Sequence, residues 1–110
     1  MGFIPRKPDS AFVLAKEFLL FAQEKQDKQA EAQAYLIQGV SLNLMDSVPE
    51  ALTHFRLSLK VFEEIDNKEG IANLLKNIGS VYWRQGNQPK ALDYYIRSLT
   101  ITEELGDKRE

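Results

Sequence analysis

The sequence predicts an all-α fold, a solenoid of antiparallel helix pairs. Two observations carry this prediction. The 110-residue chain matches itself without gaps when shifted by forty residues. Its apolar residues also recur at three and four positions, interrupted at regular places by short clusters of turn-forming residues. A two-helix unit at such a period buries its apolar face on its neighbour.

The matches are specific. Gly39 falls on Gly79, Pro49 on Pro89, Ala51-Leu52 on Ala91-Leu92, and Phe55 on Tyr95. Ser58-Leu59 falls on Ser98-Leu99, Glu63-Glu64 on Glu103-Glu104, and Lys68 on Lys108. Shifted the other way, Ala11 matches Ala51, Leu19 matches Leu59, Glu24 matches Glu64 and Lys28 matches Lys68. The chain is thus half a repeat followed by two whole ones, five helices in all.

Residues 1–9 carry two of the four prolines and are expected as an extended lead-in. Asp9 or Ser10 can cap an unpaired N-terminal helix over 10–26, whose face Phe12, Ala15, Phe18, Leu19 and Ala22 is widened by Val13, Leu14, Leu20 and Phe21. The first whole repeat, 28–66, holds helices at about 28–45 and 48–65. Ser47-x-x-Glu50 is a capping-box pattern, and Pro49 suits a first turn because its missing amide is an orphan there anyway. The second repeat, 68–106, holds helices at about 68–85 and 88–105, separated by Gly86 and capped by Asn87. Ala72, Leu75, Ile78, Gly79 and Tyr82 are its expected inner face.

Composition narrows the function classes. Hydrophobic content of 44% and charged content of 27% are those of an ordered soluble domain. Fourteen basic and sixteen acidic residues are interspersed, so no basic run points to nucleic acid. There is no Cys, which removes disulfides, thiolate metal sites and cysteine nucleophiles and fits a cytoplasmic protein. The longest apolar stretch, Ala11–Ala22, is short and interrupted by Lys16 and Glu17, so no membrane span is expected. Those charges, and the lack of a small-residue cleavage site, also argue against a signal peptide after Arg6 and Lys7. His54 is the single histidine and matches Tyr94, a packing position. Adjacent carboxylates such as Glu63-Glu64 point apart on a helix. No enzyme activity, cofactor or metal is expected.

Gly79, Tyr82, Ala91, Tyr95 and Ser98, with the phrases QGNQPKALDYYIRSL and EELGDK, resemble the tetratricopeptide repeat family in its forty-residue variant. The resemblance implies a right-handed superhelix, with Gly79 and Ala91 letting two helices approach while aromatics fill the space beside them. It also implies a concave groove that binds a peptide or helix of a partner protein. On the later repeat the groove wall is then Asn73, Lys76, Asn77, Ser80, Trp83 and Arg84. On the earlier one it is Gln33, Leu36, Val40, Asn43 and Leu44. Lys76 is followed four residues on by Ser80, where the carboxylate-clamp subtype has Asn, so that clamp is incomplete. Trp83 reads either as a partner anchor or as a side chain packed on Arg84.

The Leu36, Val40 and Leu44 stripe replaces Lys76, Ser80 and Arg84. Three covers suit it: the N-terminal helix or Met1–Pro8, an apolar ligand, or another subunit. At the other end Tyr94, Tyr95, Ile101 and Leu105 are expected to be partly bare. Either the chain is part of a longer repeat protein or a second copy covers them, and a homodimer is expected. The function expected is a protein-interaction scaffold. The alternative is a regulatory or oligomerisation module of a larger signalling protein without a peptide ligand of its own.

Overall fold

The computed structural model describes residues 8–109, with side chains for 9–106; the expected lead-in over 1–7 lies outside them. Five helices follow in order: α1 Pro8–Glu24, α2 Lys28–Leu44, α3 Val48–Glu64, α4 Lys68–Arg84 and α5 Gln88–Arg109. The fold is all-α, a helical repeat of consecutive packed helices, as the periodicity predicts. α1 begins at Pro8 rather than Ser10, because proline's fixed φ and absent amide suit a first helical position. Asp9 then lies inside the first turn, where its carboxylate favours the positive helix end.

α1 to α4 are each 17 residues long, and the turns between them fall into a twenty-residue metre. Gln26, Asp46, Asp66 and Gly86 take positive φ of 56°, 63°, 53° and 82°. The amide after each one donates to a carbonyl five residues back. These bonds are Asp27 to Ala22 at 2.9 Å, Ser47 to Leu42 at 2.8 Å, Asn67 to Phe62 at 2.9 Å and Asn87 to Tyr82 at 2.9 Å. This is the Schellman closure, which satisfies carbonyls that the helix end would leave orphaned. At three of the four turns the side chain of the donor residue then caps the next helix, Ser47 being the exception. Asp27, Asn67 and Asn87 accept from the amides of Ala30, Gly70 and Lys90 at 3.1, 2.9 and 3.3 Å. One three-residue link therefore closes one helix and opens the next. Gly106 stands at the next beat of this metre yet stays helical, so α5 runs on to Arg109, beyond its expected end.

The chain divides into two compact units, the boundary falling between Val61 and Phe62 within α3. In the first, α1 packs on α2 and α2 on α3. Ala15, Ala22, Ala32, Ala34, Leu42, Ala51 and Phe55 are buried. The alanines permit close approach, and Phe55 fills the space opposite Gly39, where a Cβ would lie only 2.5 Å from its ring. Burying that ring is worth about 2 kcal/mol. In the second unit α4 packs antiparallel to α5 around Ala72, Leu74, Leu75, Ile78, Val81 and Ala91. Gly79 sits against Tyr95 and the Ala91 carbonyl, and Gly70 against Phe62. The expected glycine–aromatic packing is therefore present in both units.

Candidate functional site

α4 carries two opposite faces. Ala72, Leu75, Ile78 and Gly79 turn inward. Asn73, Lys76, Asn77, Ser80, Trp83 and Arg84, spaced by threes and fours, turn outward as one stripe. Asn73, Lys76, Trp83 and Arg84 are exposed, while Asn77 and Ser80 are half-buried. The half-buried pair is tied down locally. Asn77 Nδ2 donates to the Asn73 carbonyl at 2.9 Å, and Ser80 Oγ donates to the Lys76 carbonyl at 3.2 Å while meeting the Tyr95 hydroxyl, also at 3.2 Å. Trp83 leaves 52% of its surface in water.

Beside this stripe lies a cleft of about 400 Å3 between α4 and α5, lined by Glu69, Ala72, Asn73, Lys76, Ser98, Thr102, Leu105 and Gly106. Its floor is a closed hydrogen bond, Ser98 Oγ to the Ala72 carbonyl at 2.6 Å. Its rim carries the Lys76 ammonium, which has no ion pair among the described residues. A carboxylate or a main-chain carbonyl seated there meets one cation, one amide side chain at Asn73 and one apolar wall at Leu105, and the Glu69 carboxylate on the same lining favours the neutral carbonyl. Asn73 and Lys76 are thus brought together with Leu105, a residue expected instead at a self-association surface.

The matching stripe on α2 is apolar. Gln33 and Leu44 are exposed, and Leu36, Val40 and Asn43 are half-buried. Ile37 belongs to the same face, 42% exposed, and was not singled out in the sequence. The signal was available, since Ile37 stands forty residues before Asn77.

The tyrosines of α5 are engaged. Tyr94 stacks on Tyr82 with ring centroids 5.6 Å apart and planes 8° from parallel. Lys90 lies over the Tyr82 ring at 5.0 Å and Arg97 over Tyr94 at 5.1 Å, with Asp93 3.7 Å from Arg97. Tyr94, Tyr95, Ile101 and Leu105 are accordingly half-buried. The exposed large apolar side chains of α5, among the described residues, are Leu92, Ile96 and Leu99.

His54 packs edge-on to Phe12 with ring centroids 6.0 Å apart, and its Nδ1 lies 2.9 Å from the Glu50 carbonyl. Among the described residues no group of three or more His, Cys, Asp or Glu is placed to hold a metal ion. None of the helices there is long and apolar enough to cross a membrane.

A helix-pair repeat that presents contact faces is the architecture of a class of protein-interaction modules. The tetratricopeptide repeat model matches residues 30–104, and the chain belongs to that family. It is 29% identical over 97 residues to a photosystem I assembly protein, Ycf3, of Rippkaea orientalis, covering 88% of this chain and 54% of that one. It is 32% identical over 92 residues to the Prochlorococcus marinus protein of the same name, covering 83% and 51%. The chain spans about half the length of the curated relatives it matches. Family and relatives together support a role in protein interaction.

Proposed function

We propose that this chain is a scaffold of the cytoplasm that binds a segment of a partner protein along the outer stripe of α4, with a carboxylate or carbonyl of that segment at Lys76. The observation that carries the reading is the Lys76 ammonium, without an ion pair among the described residues, at the mouth of the α4–α5 cleft beside Asn73. Trp83, further along the same stripe, supplies a broad apolar anchor of the kind enriched at binding hot spots. The apolar stripe of α2, with Gln33, Leu36, Val40, Asn43 and Leu44, is a second surface for the same class of ligand. Likeness to photosystem I assembly proteins makes the soluble segments of photosystem I subunits the first partners to try.

The test is an array of peptides covering those segments, probed with the wild-type chain and with Lys76→Ala and Trp83→Ala. Both substitutions are at exposed positions and should leave the helical circular dichroism unchanged. Binding that falls roughly tenfold or more in each variant supports the site. Binding that neither variant alters overturns the α4 assignment, and an array without a binder overturns the choice of partner. The second reading, an oligomerisation module of a larger signalling protein, is favoured by the exposed apolar residues of α5.

A further inference from the structure

Leu92, Ile96 and Leu99 expose 53%, 60% and 56% of their surfaces. Their spacing of four and three puts them in one stripe along α5. Comparison with the two earlier copies separates two kinds of position in this stripe. At the flanking positions the copies are Leu52 and Leu59 in α3, and Phe12 and Leu19 in α1, all half-buried. At the central position the copies are Arg56 and Lys16, both charged and exposed. In α1 Phe12, set edge-on to His54 of α3, and Leu19 are half-buried, while Lys16 stays in water. Packing of a helix on those that follow it thus accounts for apolar residues at the Leu92 and Leu99 positions but not at Ile96, which needs an occupant reaching further round the helix.

The stripe is self-complementary. We propose that α5 pairs with the α5 of a second copy of this chain, antiparallel about a two-fold axis at Ile96. Ile96 then meets Ile96 of the other copy, and Leu92 of each falls beside Leu99 of the other. The charges select this direction. With the axis at Ile96, Asp93 falls between Leu99 and Thr100 of the other copy and Glu103 opposite Pro89, so no carboxylate meets another. Lys90, in the first turn of α5, points toward the end of the partner helix that carries Glu103-Glu104. A parallel pair would set Asp93 against Asp93 and Glu103 against Glu103, with the helix dipoles aligned unfavourably. The contact is isologous, as a two-fold dimer requires. It does not depend on the α4 stripe or its ligand.

The chain has no cysteine, which makes the test direct. A disulfide needs Cα atoms within about 7 Å, so a single cysteine links two copies efficiently only when it lies near the axis. Oxidised Ile96→Cys is expected to run as a covalent dimer, and Leu14→Cys on the exposed side of α1 as a monomer. Sedimentation of the wild-type chain over a range of concentrations should show a monomer–dimer equilibrium. Ile96→Arg, which restores the residue type of the α3 copy, should weaken it by roughly tenfold or more. Circular dichroism should show that variant to be as helical as the wild type. A wild-type chain that remains monomeric at the highest concentration overturns the proposal. So does a dimer that Ile96→Arg leaves intact, or cross-linking that is equally efficient through Leu14→Cys.

Discussion

The Ser98 hydroxyl donates to the carbonyl of Ala72 at 2.6 Å, and forty residues earlier Ser58 does the same to Ala32 at 2.7 Å. Both serines are buried, and both bonds join the two helices of a pair. A helical carbonyl has a second lone pair to offer after its intrahelical bond, so the hydroxyl is satisfied without disturbing either helix. Small size is as important as polarity here, because a larger side chain would push the helices apart. Ser58→Ala is expected to lower stability by about 1 kcal/mol and Ser58→Val by more, since valine adds overpacking to the lost bond. Urea denaturation of the three chains gives the order directly.

Gln38 is 3% exposed, and its Oε1 has no hydrogen-bond partner among the described residues. Ile78 occupies the same position of the next repeat. A buried carbonyl without a donor costs about 1 kcal/mol or more. Gln38→Ile should therefore raise stability by about 1 kcal/mol, an increase of several degrees in Tm. A fall in Tm would show that a bound water or another group satisfies the amide.

How far the fold could be read in advance follows from what each residue answers to. Three helix starts were legible because the side chains of Asp27, Asn67 and Asn87 bond their own next turn, whereas the capping box expected at Ser47 and Glu50 does not form and α3 starts on the Schellman turn alone. The pairing was legible because Gly39 with Phe55, and Gly79 with Tyr95, are matched in size within one repeat. The cleft was not, because Leu105 meets Asn73 and Lys76 only after α5 folds back along α4 and continues past Gly106. Nor was the bare face of α5. Ile101 is as apolar as Leu92 and Ile96, and only the folded pair, with Tyr94 stacked on Tyr82 and Ile101 half-buried, shows which residues turn inward.

Two glycines should respond to alanine with opposite signs. At Gly39 the new methyl would lie 2.5 Å from the ring of Phe55, itself 1% exposed and unable to retreat. Overpacking costs about 1–3 kcal/mol, against a helix-propensity gain of about 1 kcal/mol. Gly39→Ala should be destabilising, and less so when combined with Phe55→Leu. At Gly106 nothing lies within 4 Å of the added methyl, and the residue is helical. Gly106→Ala should stabilise by up to about 1 kcal/mol. Thermal denaturation of the two single variants tests the contrast.

Burial raises the pKa of Tyr35 above its ordinary value, and the nearby Glu31 raises it further, while Lys28 and a hydrogen bond with Gln23 oppose the shift. The folded state therefore holds the phenol protonated more firmly than the unfolded chain does. Its contribution to stability is fully present below pH of about 10 and is lost as pH rises through the folded value. Tyr35→Phe should flatten the alkaline limb of a stability-against-pH curve and leave the neutral region unchanged in slope. An identical alkaline limb in both chains would assign the loss to other groups.

The turns offer a test of the twenty-residue metre itself. Three of the four left-handed positions hold residues with a Cβ, Gln26, Asp46 and Asp66, and only Gly86 is free of the steric cost. That cost is about 1–2 kcal/mol for an ordinary L-residue, less for Asp, whose short side chain tolerates the conformation. Glycine at such a site gives back part of the gain through its larger unfolded-state entropy. Gln26→Gly should therefore stabilise by about 0.5–1 kcal/mol, and Gly86→Ala should destabilise by about 1 kcal/mol. Asp46→Gly should have the smaller effect that its tolerance implies. Chemical denaturation should rank Gln26→Gly as the most stable, Asp46→Gly next and Gly86→Ala last. A neutral Gly86→Ala would mean that the chain can close α4 without a left-handed residue, and that the Asn87-to-Tyr82 bond does not fix the start of α5.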